Sequence, residues 1–142
     1  MGILRSVCIS LKPKSSAENI HEAKVSEFGI VGDIHCRREK KQISILPYEL
    51  VESYFKEKKE EVRCGRFGEN LDVEGMDWMQ VKSGDIVVCG EVLLQVTAIG
   101  SKWEGMDTFQ GERVCTPMEP YFIFCCVLHG GILKENMLID FR

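Results

Sequence analysis

The chain has 142 residues, a length typical of one domain, and we expect a single domain over residues 1–142 that needs no disulfide to stabilise its core. Its 18 basic and 22 acidic residues give a formal net charge of -4, which argues against a nucleic-acid partner bound through phosphate neutralisation. No apolar run reaches the roughly 20 residues of a membrane span, so no membrane association is expected.

The cysteine pattern favours a reducing compartment. The seven cysteines are Cys8, Cys36, Cys64, Cys89, Cys115, Cys125 and Cys126. They form an odd set without Cys-x-x-Cys spacing, and the N-terminus lacks the basic and then apolar pattern of a signal peptide. We therefore expect reduced thiols and a cytoplasmic location. The sequence has no cluster of Cys and His residues with the spacing of a structural zinc site.

Alternating apolar and polar residues predict the first strand over residues 3–11. Within it, Val7, Ile9 and Leu11 share one side. A lysine and a proline then end the strand, and residues 13–24 are polar and loop-like.

Asp33 and His35 lie two positions apart in the glycine-punctuated segment 28–35. In extended backbone both side chains face the same way. The carboxylate could then fix the orientation of the imidazole ring, as acid–base pairs do. The same spacing is equally typical of a solvated loop, in which His35 has only a structural role.

A strand and a helix follow. Residues 42–46 are predicted as a strand, and Pro47 opens a helix that ends near Lys59, since proline is well tolerated in a first turn. The apolar stripe of this helix consists of Leu50, Val51, Tyr54 and Phe55. Helical spacing of these residues predicts that the helix packs against the core, with its aromatic side chains as packing residues.

Segment 65–75 is the most distinctive stretch of the chain. Gly65 and Gly68 flank Phe67 and allow a sharp bend, because glycine adopts backbone conformations that other residues avoid. A bend there presents three polar side chains toward one point, those of Arg66, Glu69 and Asn70. The alternative is a connection whose polar side chains only bond to nearby backbone.

The second half of the chain is predicted as β-hairpins. Residues 86–89 and 92–99 form one around a two-residue break, with Cys89 as a small buried hydrophobe. Residues 121–128 and 132–141 form a last hairpin around a Gly-Gly turn. The two neighbouring cysteines of the first of these strands face opposite sides.

Cys115 is the cysteine best suited to chemistry. It lies in the long irregular connection 100–118, close to Arg113. A nearby arginine favours the thiolate, which is the form that attacks, carries sulfur or ligates a soft metal. A loop cysteine without a chemical role is the alternative.

Five segments together resemble the MOSC domain, the module named for the C-terminal part of molybdenum cofactor sulfurases, and most closely its small stand-alone bacterial members. They are residues 29–35, 42–46, 65–71, 84–85 and 115–118. The resemblance runs from about residue 3 to residue 131, and the order and spacing of the segments carry it.

The resemblance implies a mainly β fold, a closed or partly open antiparallel β-barrel with one or two short helices. It also implies molybdenum cofactor binding, or sulfur transfer to the cofactor through a cysteine thiolate. Two alternatives are a non-catalytic carrier of the cofactor or another anion for a partner enzyme, and a molybdenum-dependent reductase of N-hydroxylated compounds. A sulfur donor or a molybdoenzyme is then the expected partner, and no pyridoxal phosphate is expected in this chain.

The resemblance also assigns site residues. Cys115 corresponds to the family cysteine and a molybdenum ligand, and Asp33 and His35 match its Gly-Asp-x-His pattern. Its Gly-Glu-Asn turn is matched by Gly68, Glu69 and Asn70. The cofactor's phosphate would favour nearby cations, for which the candidates are Arg37, Arg38, Lys40 and Arg66. One departure is a loop without the two further family cysteines, where Trp103 stands instead.

Overall fold

A closed β-barrel is the main part of the structure. The structure is a computed structural model that describes residues 1–12, 16–100, 108–109, 112–113 and 118–142. For residues 108–109 and 112–113, only the backbone is described. The first elements are β1 (Gly2–Ile9), β2 (Glu18–Asn19), β3 (Glu22–Ser26), β4 (Gly29–Ile30), β5 (Ile43–Pro47), α1 (Tyr48–Lys58) and β6 (Leu71–Glu74). The remaining strands are β7 (Ile86–Cys89), β8 (Val92–Ile99), β9 (Thr108–Phe109), β10 (Glu112–Arg113), β11 (Ile123–His129), β12 (Gly131–Lys134) and β13 (Leu138–Phe141). Two short 3-10 turns cover Trp78–Gln80 and Glu119–Tyr121.

Seven strands close the barrel in the order β1-β13-β7-β8-β11-β5-β6, and β6 returns to β1. Neighbouring strands pair antiparallel except β5 and β6, which are parallel. The connection between these two strands contains α1. Outside the barrel, β12, β3 and β4 form a three-stranded sheet, and β9 pairs with β10. The predicted mainly β barrel fold is confirmed. Among the described residues, no helix is both long and apolar enough to cross a membrane.

The helix α1 covers one end of the core, as its apolar stripe predicted. Val51 and Phe55 are fully buried, while Lys59 adopts a left-handed conformation (φ 56°) that ends the helix. Tyr54 packs edge-on against Phe67 at a ring distance of 5.0 Å. The helix thereby fixes Phe67, which belongs to the glycine turn that follows, in the core. Burying one such aromatic side chain stabilises the fold by about 1.5–3 kcal/mol.

The first strand is shorter than predicted and irregular. It ends at Ile9, whereas Leu11 is exposed and does not share a buried face with Val7. Its pairing register with β6 shifts between Leu4 and Ser6, so that Leu4 lies opposite Val73 and Ser6 opposite Asp72. The regular alternation of side chains between the two faces of the strand is interrupted there. As a result Ser6 is also buried, although its polarity suggested an outward position.

The hairpin of β7 and β8 is confirmed, but the predicted last hairpin around Gly130 and Gly131 is wrong. β11 pairs with β5 and β8 instead of with the segment after it. That segment splits into β12, which pairs with β3, and β13, which pairs with β1 and β7. The chain passes so close to β3 that a Cβ atom on Gly130 would lie 2.2 Å from Val25 O. This close approach directs the chain onto β3.

Candidate functional site

The side chains of Asp33 and His35 are in contact, but in a turn and not in the extended backbone that the sequence argument assumed. His35 Nδ1 lies 2.9 Å from Asp33 Oδ2, and the same oxygen accepts a hydrogen bond from His35 N at 3.0 Å. A carboxylate oxygen can only accept, so Nδ1 carries the proton. The carboxylate therefore fixes the ring and its tautomer, and Nε2 is the ring atom that can take up a proton. Both side chains are buried.

The His35 turn, residues 33–38, is anchored to the end of β1. Ser10 N donates to Asp33 Oδ1 at 2.8 Å, and Ile34 N donates to Ser10 O at 3.0 Å. Within the turn, Arg38 N donates to His35 O at 3.1 Å. These contacts hold the imidazole in one position relative to the barrel.

The Asn70 turn, residues 65–70, is stabilised from within by Glu69. Its two carboxyl oxygens accept hydrogen bonds from Gly65 N and Phe67 N, both at 3.0 Å. Gly65 and Gly68 have φ values of 88° and 85°, a region that favours glycine. The turn therefore bends where the two glycines predicted, around a carboxyl group that is fully buried.

Asn70 anchors this turn to two barrel strands. Its Oδ1 accepts from Ser44 N of β5 at 3.0 Å, and its Nδ2 donates to Cys8 O of β1 at 3.0 Å. Cys8 N in turn donates to Asn70 O at 2.6 Å. These hydrogen bonds of Glu69 and Asn70 are with backbone groups, which for Asn70 are distant in sequence. Their role in a ligand site stays a prediction.

The two turns meet the barrel at neighbouring positions. The Asn70 turn is bound to Cys8 and the His35 turn to Ser10, two residues further along the same chain segment. Segments about 35 residues apart in sequence are therefore held side by side at one end of β1. The third predicted site residue, Cys115, lies outside the described residues, as does Trp103.

The predicted basic residues have different environments. Arg37 and Arg38 are exposed, as is Lys40. Arg37 adopts a positive φ of 77°, and its guanidinium group lies 4.6 Å from the centre of the Phe28 ring. A non-glycine residue in this conformation requires support from its surroundings, here a hydrogen bond from Arg37 N to Phe28 O at 2.6 Å. Arg66, by contrast, is buried.

Several described thiols are poorly suited to nucleophilic chemistry, because burial disfavours the thiolate. Burial raises the pKa of Cys64 to about 12 and that of Cys89 to about 11. It also raises the pKa values of Cys8 and Cys125. Within the described ranges, no group of three His, Cys, Asp or Glu side chains is arranged to hold a metal ion.

Sequence reasoning missed the two serines that hold the turns. Ser10 binds Asp33 through its backbone, and Ser44 binds Asn70 through both its backbone N–H and its hydroxyl. Ser44 had a signal, since it is the one polar residue inside the apolar run 43–46. A hydroxyl in a strand buried on both faces needs a partner. Ser10 had no comparable signal.

Solved structures with the same fold include "YUAD protein from Bacillus subtilis", which is 16% identical with a TM-score of 0.74 over 99% of this chain and 94% of that chain. Another is "YiiM from Geobacillus stearothermophilus", 18% identical with a TM-score of 0.69 over 100% of this chain and 75% of that one. "YiiM from Escherichia coli" is 20% identical with a TM-score of 0.65 over 100% and 70%, respectively. At these identities the likeness shows the fold. Comparison with curated proteins gave no match.

The family comparison extends beyond the fold. The family model described as "MOSC domain" matches residues 17–100, which is more than half of the chain. The matched range contains both the His35 turn and the Asn70 turn, whose anchoring at β1 is described above. The chain therefore belongs to the MOSC domain family.

Proposed function

We propose that this protein binds the molybdenum cofactor where the His35 turn and the Asn70 turn meet β1, and that Cys115 provides the thiolate for sulfur transfer. Membership of the MOSC family supports the choice of cofactor. The observation that carries the placement is the anchoring of both turns at Cys8 and Ser10. We further propose a cytoplasmic protein with a single MOSC domain, as the thiol pattern and length predicted.

The described residues fit such a group. The buried Asp33–His35 pair can orient a polar ligand and exchange a proton at Nε2, since Nδ1 is held by the carboxylate. Beside it, Arg37 and Arg38 are exposed cations that suit a phosphate. When bound, the cofactor supplies a soft metal held by sulfur, which a thiolate such as that of Cys115 can ligate.

The roles of the turn residues follow from their contacts. Glu69 and Asn70 set the backbone of the Asn70 turn, so that Gly68 and Arg66 are presented in one conformation. We assign Asp33 the role of fixing His35, and His35 the role of handling protons near the ligand. Rigid placement of these groups is what a binding site on loops requires.

The experiment that tests this assignment compares protein purified from cells that make the cofactor. Molybdenum and cysteine persulfide would be measured in the wild type, in Cys115→Ala, and in Cys126→Ala as the matched control. We expect Cys115→Ala to lose bound molybdenum or persulfide and Cys126→Ala to retain it. Retention in both variants would refute the role of Cys115. Cofactor binding itself would then be tested by the same measurement on His35→Ala, with the exposed His129→Ala as the control.

A non-catalytic carrier is the second candidate function. It is favoured by the raised pKa values of the buried thiols at Cys8, Cys64, Cys89 and Cys125, which make them poor relay partners for a sulfur-transferring cysteine. A carrier binds the cofactor but does not turn over an N-hydroxylated compound with an electron donor. Turnover by the purified, cofactor-loaded protein would instead support the alternative of a molybdenum-dependent reductase.

A further inference from the structure

Two carboxyl groups lie together in the interior behind the Asn70 turn. Glu69 lies in the turn, and Asp72 lies on β6, three residues later. Both are fully buried, and their side chains are within hydrogen-bonding reach of each other. Two facing carboxylates that are fully buried repel each other and lose hydration, so both are not expected to be ionised at once.

The hydrogen bonds of the pair leave one acceptor without a donor. Asp72 Oδ2 accepts a hydrogen bond from Ser6 Oγ at 2.6 Å, and both oxygens of Glu69 accept backbone N–H groups. Asp72 Oδ1 is buried and has no hydrogen-bond partner among the described residues. Leaving a buried acceptor unsatisfied is destabilising. A donor must therefore be accounted for at this atom.

The described groups with the strongest influence on the pair carry no positive charge. The titratable side chains that face it are the thiols of Cys8, on β1, and Cys64, in the loop before the turn. Arg5 and Tyr48 interact with Cys64 from β1 and α1. The strongest influences on the pair itself, within the described part of the chain, are burial, the other carboxyl group, hydroxyl and thiol groups, and backbone amides, with no cation among them.

We propose that Glu69 is protonated in the folded protein and donates a hydrogen bond to Asp72 Oδ1, so that the two carboxyl groups share one proton and one negative charge. The proton stays bonded to Glu69, whose oxygens keep lone pairs for the two backbone N–H groups. Asp72 then has donors at both oxygens. The pair and Ser6 act as positioning residues that clamp the Asn70 turn to β1.

The electrostatics agree with this assignment. Burial, followed by the charge of Asp72, raises the pKa of Glu69 well above its ordinary value. Burial also raises the pKa of Asp72, although hydrogen bonds from Glu69, Ser6 and Cys64 oppose that shift. Both directions agree with a pair that keeps one proton. The assignment is independent of the proposed cofactor.

The shared proton links folding to pH. Above about pH 5 both carboxyl groups of the unfolded chain are ionised, whereas the folded pair retains one proton. The folded state then binds one more proton than the unfolded state, so the pair's contribution to stability is fully present below the pKa values of the unfolded carboxyl groups and is lost as pH rises through the pKa of the folded pair. One retained proton changes the equilibrium constant for unfolding about tenfold per pH unit.

The direct test is carbon NMR of the intact protein with its carboxyl carbons labelled. The Glu69 carboxyl resonance should keep the chemical shift of a protonated acid at pH 7, while that of Glu74, which is partly exposed on β6, shows an ionised carboxylate. A Glu69 resonance that titrates near pH 4 to 5 would overturn the proposal. This measurement needs no variant.

A second test follows urea unfolding between pH 5 and pH 7. Glu69→Gln supplies an amide donor to Asp72 in place of the acid, at the loss of one of the two acceptors for backbone N–H groups. It should remove a dependence of about tenfold per pH unit that the wild type shows. Glu74→Gln, the matched control on β6, should retain it. The proposal is contradicted if Glu69→Gln and the wild type have the same pH dependence. If Glu69→Gln does not fold, the carboxyl resonance of the wild type decides.

Discussion

Replacing Asn70 by alanine should strongly destabilise the protein, because its side chain joins the Asn70 turn to two strands. The substitution leaves Ser44 N and Cys8 O without this partner at positions that are buried. Each unsatisfied buried backbone group costs about 1–3 kcal/mol, so the free energy of unfolding should fall by about 2–6 kcal/mol. Domains have a total stability of about 5–15 kcal/mol, so the loss is a large share of it.

The assay is urea unfolding followed by circular dichroism, with Gln80→Ala as the control. Gln80 is exposed, and its replacement should change the unfolding free energy by less than about 0.5 kcal/mol. Asn70→Asp keeps the acceptor for Ser44 N but replaces the donor to Cys8 O by a carboxylate, and should be at least as destabilising as a single lost hydrogen bond. A loss below about 1 kcal/mol for Asn70→Ala would refute the anchoring role.

Three further predictions concern packing and thiol reactivity. Gly65→Ala should destabilise the protein far more than Gly84→Ala in thermal unfolding. Both glycines have positive φ, but only at Gly65 would the added Cβ lie 2.3 Å from Ala17 O, so equal losses would contradict this reasoning. Phe55→Ala should cost about 3–5 kcal/mol in urea unfolding, since the ring is fully buried among aromatic side chains, and a cost below about 1 kcal/mol would contradict that packing. The Cys64 pKa of about 12 should slow its alkylation at pH 8 roughly a thousandfold against an ordinary thiol, as followed by mass spectrometry, and rapid labelling in the folded protein would contradict it.

Local patterns predicted the local parts of this structure. The apolar stripe ending in Phe55 predicted α1, and the two-residue break after Cys89 predicted the hairpin of β7 and β8. The two-residue spacing of Asp33 and His35 indicated a possible pair, and the two side chains are in contact, although in a turn and not in extended backbone. Each of these features is decided by residues that are close in sequence, so period and spacing were sufficient.

Non-local features could not be read in the same way. The Gly-Gly turn looked like a hairpin, but Gly130 is needed for close approach to Val25 on β3, which no local pattern reveals. The shared acid pair of Glu69 and Asp72 depends on a register shift in β1 that places Ser6 opposite Asp72. Strand pairing across the barrel determines such contacts, and a single sequence does not specify it.

The measurement that tests the account most directly is the molybdenum content of the purified wild-type protein. It would be isolated in parallel from cells that make the molybdenum cofactor and from cells that cannot, both grown with molybdate, and the metal would be measured per polypeptide together with released pterin. The account predicts molybdenum and pterin in comparable amounts in the first preparation and neither in the second. Absence of both from the first preparation, or equal metal in the two, would contradict cofactor binding by this MOSC protein.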